Sequence, residues 1–422
     1  MDKNNMDKNT YNRELIDEYK HLVTSLINER KDKAHDPLLT IEEIEEGLTN
    51  RICTLDEFCK KVFVNRHEIV SQRKVTIGAS RTPQNFVEEE VPASLNIGPV
   101  SNITFRHIEI LGGSQKIRGY ALRDPLTESF TWDRINYANP TLPAILPKDV
   151  IPFLTKKNLF YKRLPKKDHY GKYVFLGGTT NHAHCIWEFV MRMPLIDKLF
   201  KDNNVKLAVS SDAKNLVEKW FDQLGYSKEK IYYFDGDRAN YFEEITFVTC
   251  LFGSYGDDYC IHPESFFDIR NRALKNIRTF ATHRNKVYIT RLDANHRKMR
   301  NESEFIDYLS KNGFEILTLS ELTLSEQIDA VANASVVISP IGAGSAMAMF
   351  APSDALVIEI AERNLYGGYN GVISALLLNQ AFYRVITNQS ETYSKAEDLR
   401  GDFVGNLETV KKILKKNEIQ IL

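Results

Sequence analysis

From residue 286 onward short runs rich in apolar residues alternate with stretches of helical spacing. The runs at 286–290, 314–318, 335–339, 356–360 and 382–386 predict strands, and 335–339 is of the kind buried in a parallel sheet. Between them Phe305, Tyr308 and Leu309, and then Ile328, Val331 and Ala332, recur at three- and four-residue steps and predict two helices. Asn301 with Glu304 and Thr323 with Glu326 have capping-box spacing, and Gly313 is placed to close the first helix. A further helix is expected over 371–379. Strand and helix alternating in this way predict a doubly wound α/β domain whose ligand sits beyond the carboxyl ends of the strands.

The residues at those ends carry candidate chemistry. The turn Gly342-Ala343-Gly344-Ser345 follows the third strand and opens a small-residue segment that can be helical. Its free amides and dipole would suit a diphosphate, which glycine lets approach closely. Arg291 leaves the first strand at the same edge and can add a bidentate cationic contact. Glu359 or Glu362, closing the fourth strand, can accept from ribose hydroxyls.

A similar grammar recurs earlier. Residues 173–178 read as a strand ending in two glycines, and a helix capped by Thr180 or Asn181 should follow. Ile186, Phe189, Val190 and Met193 take one face of it, and His184, Glu188 and Arg192, four apart, form a polar stripe on another. Pro194 is expected to end or kink the helix. That stripe, with Asn181 and His182, is well placed to face a cleft. Strands at 205–210, 230–234 and 245–251 and a helix over 213–224 make a second α/β half. The expected division is a helical extension over 1–70, a first Rossmann-like domain over 71–265, a second over 266–405 and a basic helix over 406–422.

Composition narrows the class. The 422 residues carry a formal net charge of −1, which recommends no nucleic-acid partner. The opening residues are polar and charged and no long apolar run occurs, so neither signal peptide nor membrane span is expected and the location is read as cytoplasmic. Five cysteines without a Cys-x-x-Cys pair argue for a reducing compartment and against structural zinc. Lys411, Lys412, Lys415 and Lys416 beside Leu407, Val410, Ile413 and Leu414 form a basic amphipathic helix that would suit peripheral attachment at the inner face of a membrane.

The chain resembles glycosyltransferase family 61. The resemblance rests on Asn181-His-Ala-His184 with Glu188 and Arg192, on 287–291 with Arg297 and Asn301-Glu302, and on Ser325-Glu-Gln327, 339–344 and 357–359. Ile341 stands where the family has histidine before Gly-Ala, and Cys185 where an aromatic follows the motif histidine. The resemblance implies a GT-B architecture, two Rossmann-like domains facing a cleft. It also implies inverting transfer from a nucleotide diphosphate sugar, with UDP expected, to a hydroxyl of an oligo- or polysaccharide acceptor. A single displacement needs a base and a positive site for the leaving diphosphate. His184 is the expected base or acceptor-positioning group, with Glu188 orienting it or serving in its place, and Arg192 a cleft ion-pair partner. Arg291, Arg297 and the Gly342–Gly344 amides would meet the diphosphate, and no divalent metal is expected. Such an enzyme would build capsule or other surface polysaccharide.

Three other readings stay open. Asp235-Gly-Asp237 after an apolar strand imitates the manganese site of metal-dependent GT-A transferases. Gly342-x-Gly344 with Glu362 some twenty residues on imitates a dinucleotide fingerprint, although Met347 holds the third glycine position. A non-catalytic nucleotide-sugar-binding module is the third.

Overall fold

The computed structural model describes residues 58–60, 64–70, 73–76, 94–97, 100–114, 120–126, 129–131, 164–201, 204–249, 252–255, 258–275, 277, 284–295, 297–362, 370–387 and 402–420. Most of the first compact unit is Asn96–Asp222 with Tyr226–Ser265, and most of the second is Phe266–Leu422. Both are α/β.

The strands up to the helix Pro263–Leu274 are β1 (Val64–Val70), β2 (Arg73–Thr76), β3 (Ser94–Ile97), β4 (Val100–Gly112), β5 (Tyr120–Arg123), β6 (Phe130–Thr131), β7 (Lys166–Gly177), β8 (Val205–Ser210), β9 (Ile231–Phe234), β10 (Ala239–Val248), β11 (Phe252–Tyr255) and β12 (Asp258–Ile261). β13 (Asn285–Ile289), β14 (Phe314–Leu317), β15 (Ala334–Pro340), β16 (Leu356–Glu362) and β17 (Ala381–Thr387) follow it. β2 pairs with β3, and β11 with β12, in separate two-stranded ladders.

The first unit is built on an eight-stranded sheet of order β6-β5-β4-β10-β7-β8-β9. β10, β7, β8 and β9 run parallel, whereas β4 is antiparallel to β10 on one edge and to β1 and β5, in succession, on the other. β1 falls inside the stretch expected to be helical, and the rest of that expectation before residue 58 lies outside the described residues. The sheet is mixed because β10 pairs antiparallel with β4 on one edge and parallel with β7 on the other, and it also curls. β7 turns at Gly171 (φ 93°), and β10 shifts register between Phe242 and Glu244. Their first halves thereby meet β9, which neither pairs with: the rings of Phe242 and Phe234 are 6.1 Å apart, those of His169 and Tyr232 5.1 Å. A four-residue turn, 235–238, therefore suffices between β9 and β10. Phe105, Tyr120, Phe175, Phe234, Phe242 and Phe247 fill the space enclosed.

The second unit holds a five-stranded, all-parallel sheet of order β14-β13-β15-β16-β17. The chain moves outward from β13 to β14 and then returns past β13 to β15, so the strand order reverses between β13 and β15. The crevice opened by such a reversal is where ligands of open α/β sheets bind.

Thr323 and Glu326 form the expected capping box, the threonine hydroxyl accepting from Glu326 N at 3.3 Å and the glutamate accepting from Thr323 N at 2.8 Å. Asn301 does not cap the helix Glu302–Lys311. Its amide is taken instead by the tail, donating to Gly405 O at 3.0 Å and accepting from Gly405 N at 2.8 Å. Arg300 N donates to Phe403 O and Phe403 N to Lys298 O, so the segment before the last helix is strapped along 298–301. The helix Leu407–Lys416 buries Val410, Ile413 and Leu414 in the second core. Its apolar face is thus occupied, and only the basic face is left for other partners.

The strap gives a first prediction. A Cβ on Gly405 would lie 2.3 Å from Met299 Sδ and 2.8 Å from the Phe305 ring, both of them buried. Gly405→Ala should cost about 1–3 kcal/mol through overpacking and lower the midpoint of the urea transition; an unchanged midpoint would refute the packing argument.

Candidate active site

The first cluster lies where β7 ends. Tyr120, buried beneath the glycine turn, donates to Gly178 O at 2.5 Å and anchors it. Asn181 caps the next segment, accepting from His184 N at 3.2 Å. That segment changes winding: α over His182–His184, π over Cys185–Phe189, 3-10 over Val190–Arg192 and α again over Met193–Leu199. π turns of this kind cluster at functional sites. Pro194 does not end the helix. It sits in the first turn of the last segment, where its missing N–H costs nothing.

The wider turn rearranges the expected stripe. Ile186, Phe189, Val190 and Met193 are buried, as their spacing predicts, but Glu188 and Arg192 are buried too, Arg192 completely. Arg192 lies over the Phe189 ring, 5.4 Å from its centroid. His184 Nδ1 and Glu188 Oε1 are 2.5 Å apart, with the histidine side chain 37% exposed and the glutamate 6%. The carboxylate is thus the inner partner and the imidazole the outer one. Cys185 is wholly buried, which pushes its thiol up to about 12 and leaves it inert at neutral pH.

His182 is placed elsewhere, against Trp220 with ring centroids 5.4 Å apart. Burial, and secondarily Lys219, lowers its pKa from 6.5 to about 4. The unfolded chain takes up this proton from pH 6.5 downward, whereas the folded chain resists it until about pH 4. Stability should therefore be level above pH 6.5 and fall by about 3 kcal/mol between there and pH 4. The check is urea denaturation across that range, with His182→Phe flattening the slope; an equal slope in the variant would remove His182 as its cause.

The second cluster lies at the strand-order reversal of the other unit. Arg291 follows β13, and its guanidinium rests against Gly342: a Cβ there would be 1.6 Å from Nη1. Gly342 is extended (φ 166°, ψ −167°), so what it supplies is room, not an unusual backbone. Burial first, then Arg297, pulls the Arg291 pKa down, opposed by Glu302 and Asp293. Arg297 itself is held at φ 56°. A partly desolvated guanidinium beside a second one is an electrostatic setting that favours a polyanion. Beneath it, Glu302 Oε1 accepts from Tyr288 Oη at 2.9 Å, Thr290 Oγ1 at 2.8 Å and Arg291 N at 2.8 Å. Sequence reasoning gave Glu302 no role; the signal was an acid at the start of the helix that follows a loop carrying Arg291, Arg297 and Arg300.

After Gly342 the chain forms an eight-residue 3-10 helix, Ala343–Phe350, whose first turn is closed by Ser345 Oγ donating to Gly342 O at 2.8 Å. Arg270 donates to the carbonyls of Met349 and Ala351 and holds its far end. Gly344 packs on Ile289 and Leu319, and Ile341 is buried against Ala361. The glutamates of β16 differ. Glu359 is buried and bound by Arg384, Nε at 2.8 Å and Nη2 at 2.6 Å, its partner in the β16/β17 register. Glu362 is the last residue of the strand.

Asp235 is used locally. Its carboxylate accepts from Asp237 N at 2.9 Å and from Arg238 Nε at 3.0 Å, closing the turn between β9 and β10. The Gly342-x-Gly344 turn opens a 3-10 helix after the third strand of its sheet, whereas a dinucleotide fingerprint opens an α-helix after the first.

The family model described as glycosyltransferase 61 matches residues 120–358, more than half of the chain and spanning both clusters. The chain belongs to this family. It is a glycosyltransferase. Among solved structures it is similar to the dodecameric iron-containing heptosyltransferase TibC in complex with ADP-D-beta-D-heptose, at 12% identity and a TM-score of 0.29, over 78% of this chain and 89% of that one. TibC from enterotoxigenic E. coli H10407 matches at 13% identity and a TM-score of 0.26, over 68% and 81%. No curated protein matches the sequence significantly. Among the described residues no helix is long and apolar enough to cross a membrane.

Proposed function

We propose that this glycosyltransferase moves a sugar, with inversion, from a nucleotide diphosphate sugar to a hydroxyl of an oligo- or polysaccharide acceptor, and needs no divalent metal to do so. The observation that carries this reading is the Arg291 guanidinium lying on Gly342 at the reversal point of a parallel sheet. There it would take the charge of the departing diphosphate together with the amides of 342–344 and with Arg297. Positive charge fixed at that spot does what a metal does elsewhere, stabilising negative charge as it develops.

His184 is assigned as the base. Its Nδ1 is committed to Glu188, so proton transfer from the acceptor falls to Nε2, and the inner carboxylate fixes the tautomer and steadies the imidazolium that forms. Glu362 is assigned to the donor ribose, because Glu359 is already tied to Arg384. The nucleotide is proposed to be uridine, on the family resemblance, and the product a capsule or other surface polysaccharide made in the cytoplasm.

A thermal-shift screen over UDP-, ADP-, GDP- and CMP-sugars tests the donor. A ligand at a hundred times its dissociation constant should add about 2.7 kcal/mol of stability. Transfer with the donor so found should continue in excess chelator. Loss of transfer on chelation would sink the metal-free mechanism, and a screen in which no nucleotide diphosphate sugar shifts the transition would sink the donor assignment.

A further inference from the structure

We infer that Glu302 is a positioning residue of the donor site, aiming Arg291 at the diphosphate and balancing the charge of the two guanidiniums until it arrives. This rests on the reading that Arg291 meets the diphosphate. Glu302 is the first residue of the helix Glu302–Lys311, yet its carboxylate turns to the neighbouring strand instead of to its own helix. One oxygen gathers a side-chain hydroxyl from within β13, a second hydroxyl one residue past its end and the backbone amide of Arg291 itself. The two hydroxyl bonds are buried and the bond from the Arg291 amide is partly so; Glu302 itself is 1% exposed.

A buried carboxylate persists where strong donors replace its water, and here they converge on the residue from which the arginine departs. The direction of the Arg291 side chain, and so its seat on Gly342, is fixed from behind by this one oxygen. The charge has a second use. Arg291 and Arg297 repel each other, and Glu302, ahead of Asp293, is the acid that opposes this at Arg291. The strap then holds the same loop from the far side, through Asn301 and Gly405.

The test is calorimetric titration of the full chain with inorganic pyrophosphate, in wild type and in Arg291→Ala, Glu302→Ala and Glu302→Gln, at low and high salt. Arg291→Ala should abolish binding. Glu302→Ala, which frees the amide of Arg291, should weaken it by about tenfold. Glu302→Gln keeps an acceptor oxygen and removes the opposing charge, so it should bind about threefold more tightly at low salt and lose that gain at high salt. A residue that only holds the fold would move the melting temperature without this salt-dependent gain. Wild-type affinity in both Glu302 variants, with binding lost in Arg291→Ala, would overturn the inference and leave the donor site standing. Unchanged binding in Arg291→Ala would instead overturn the donor site. If Glu302→Ala does not fold, Glu302→Gln decides alone: tighter binding supports the inference, and equal or weaker binding overturns it.

Discussion

His184→Ala should lower kcat by about 10²–10⁴-fold, the usual worth of a general base, with the KM for donor little changed. Glu188→Gln should cost less, on the order of tenfold, because a glutamine oxygen can still accept from Nδ1 while the negative charge that steadies the imidazolium is gone. The combined variant should be no worse than His184→Ala alone, since residues acting as one unit are not additive. These rates separate the two carboxylate–imidazole assignments that the sequence leaves open. If Glu188 were itself the base, Glu188→Gln would be the more damaging change and the histidine variant the milder one. Initial rates at saturating donor decide it, and a His184→Ala enzyme within threefold of wild type would remove the histidine from the chemistry.

The second unit was legible because most of its strand positions are buried, Glu315 and Ile316 of the edge strand β14 standing apart. Short runs rich in apolar residues leave little choice of element, and the capping box at Thr323 and Glu326 marks a helix start through purely local bonds. Asn301 has the same spacing and fails as a cap, because a segment a hundred residues away takes its amide. The first unit was harder for a related reason. Its mixed, curled sheet depends on a bend at Gly171, a register shift in β10 and ring contacts between strands that never pair, none of which leaves a periodic trace.

In the site, spacing along the chain placed His184 beside Glu188 and put Arg291 and Gly342 at strand ends. Spacing could not show burial. The His184, Glu188 and Arg192 stripe assumes α-helical winding, and the π and 3-10 turns carry Arg192 inward. Glu359 looked free for a ribose because its partner, Arg384, is supplied by the register of the neighbouring strand. Opposite charges at matching heights of adjacent buried strands are the signal that would have found that pair.

Gly342→Ala is expected to be nearly as harmful to catalysis as Arg291→Ala, about 10²–10³-fold in kcat/KM, while leaving the fold intact. The backbone at Gly342 is extended and open to any residue, so the methyl brings no conformational strain of its own. What it meets is the guanidinium, 1.6 Å from the new carbon at Nη1 and 2.5 Å at Cζ, and the end of a flexible side chain moves more readily than a buried sheet. The arginine would be pushed out of the place where negative charge develops. In the combined variant that conflict vanishes, because no guanidinium remains to be displaced, and activity should equal that of Arg291→Ala alone. Rates measured beside melting temperatures check the prediction. A fully active Gly342→Ala enzyme with an unchanged melting temperature would mean that the arginine works from another position, and the diphosphate site would have to be sought elsewhere on the sheet.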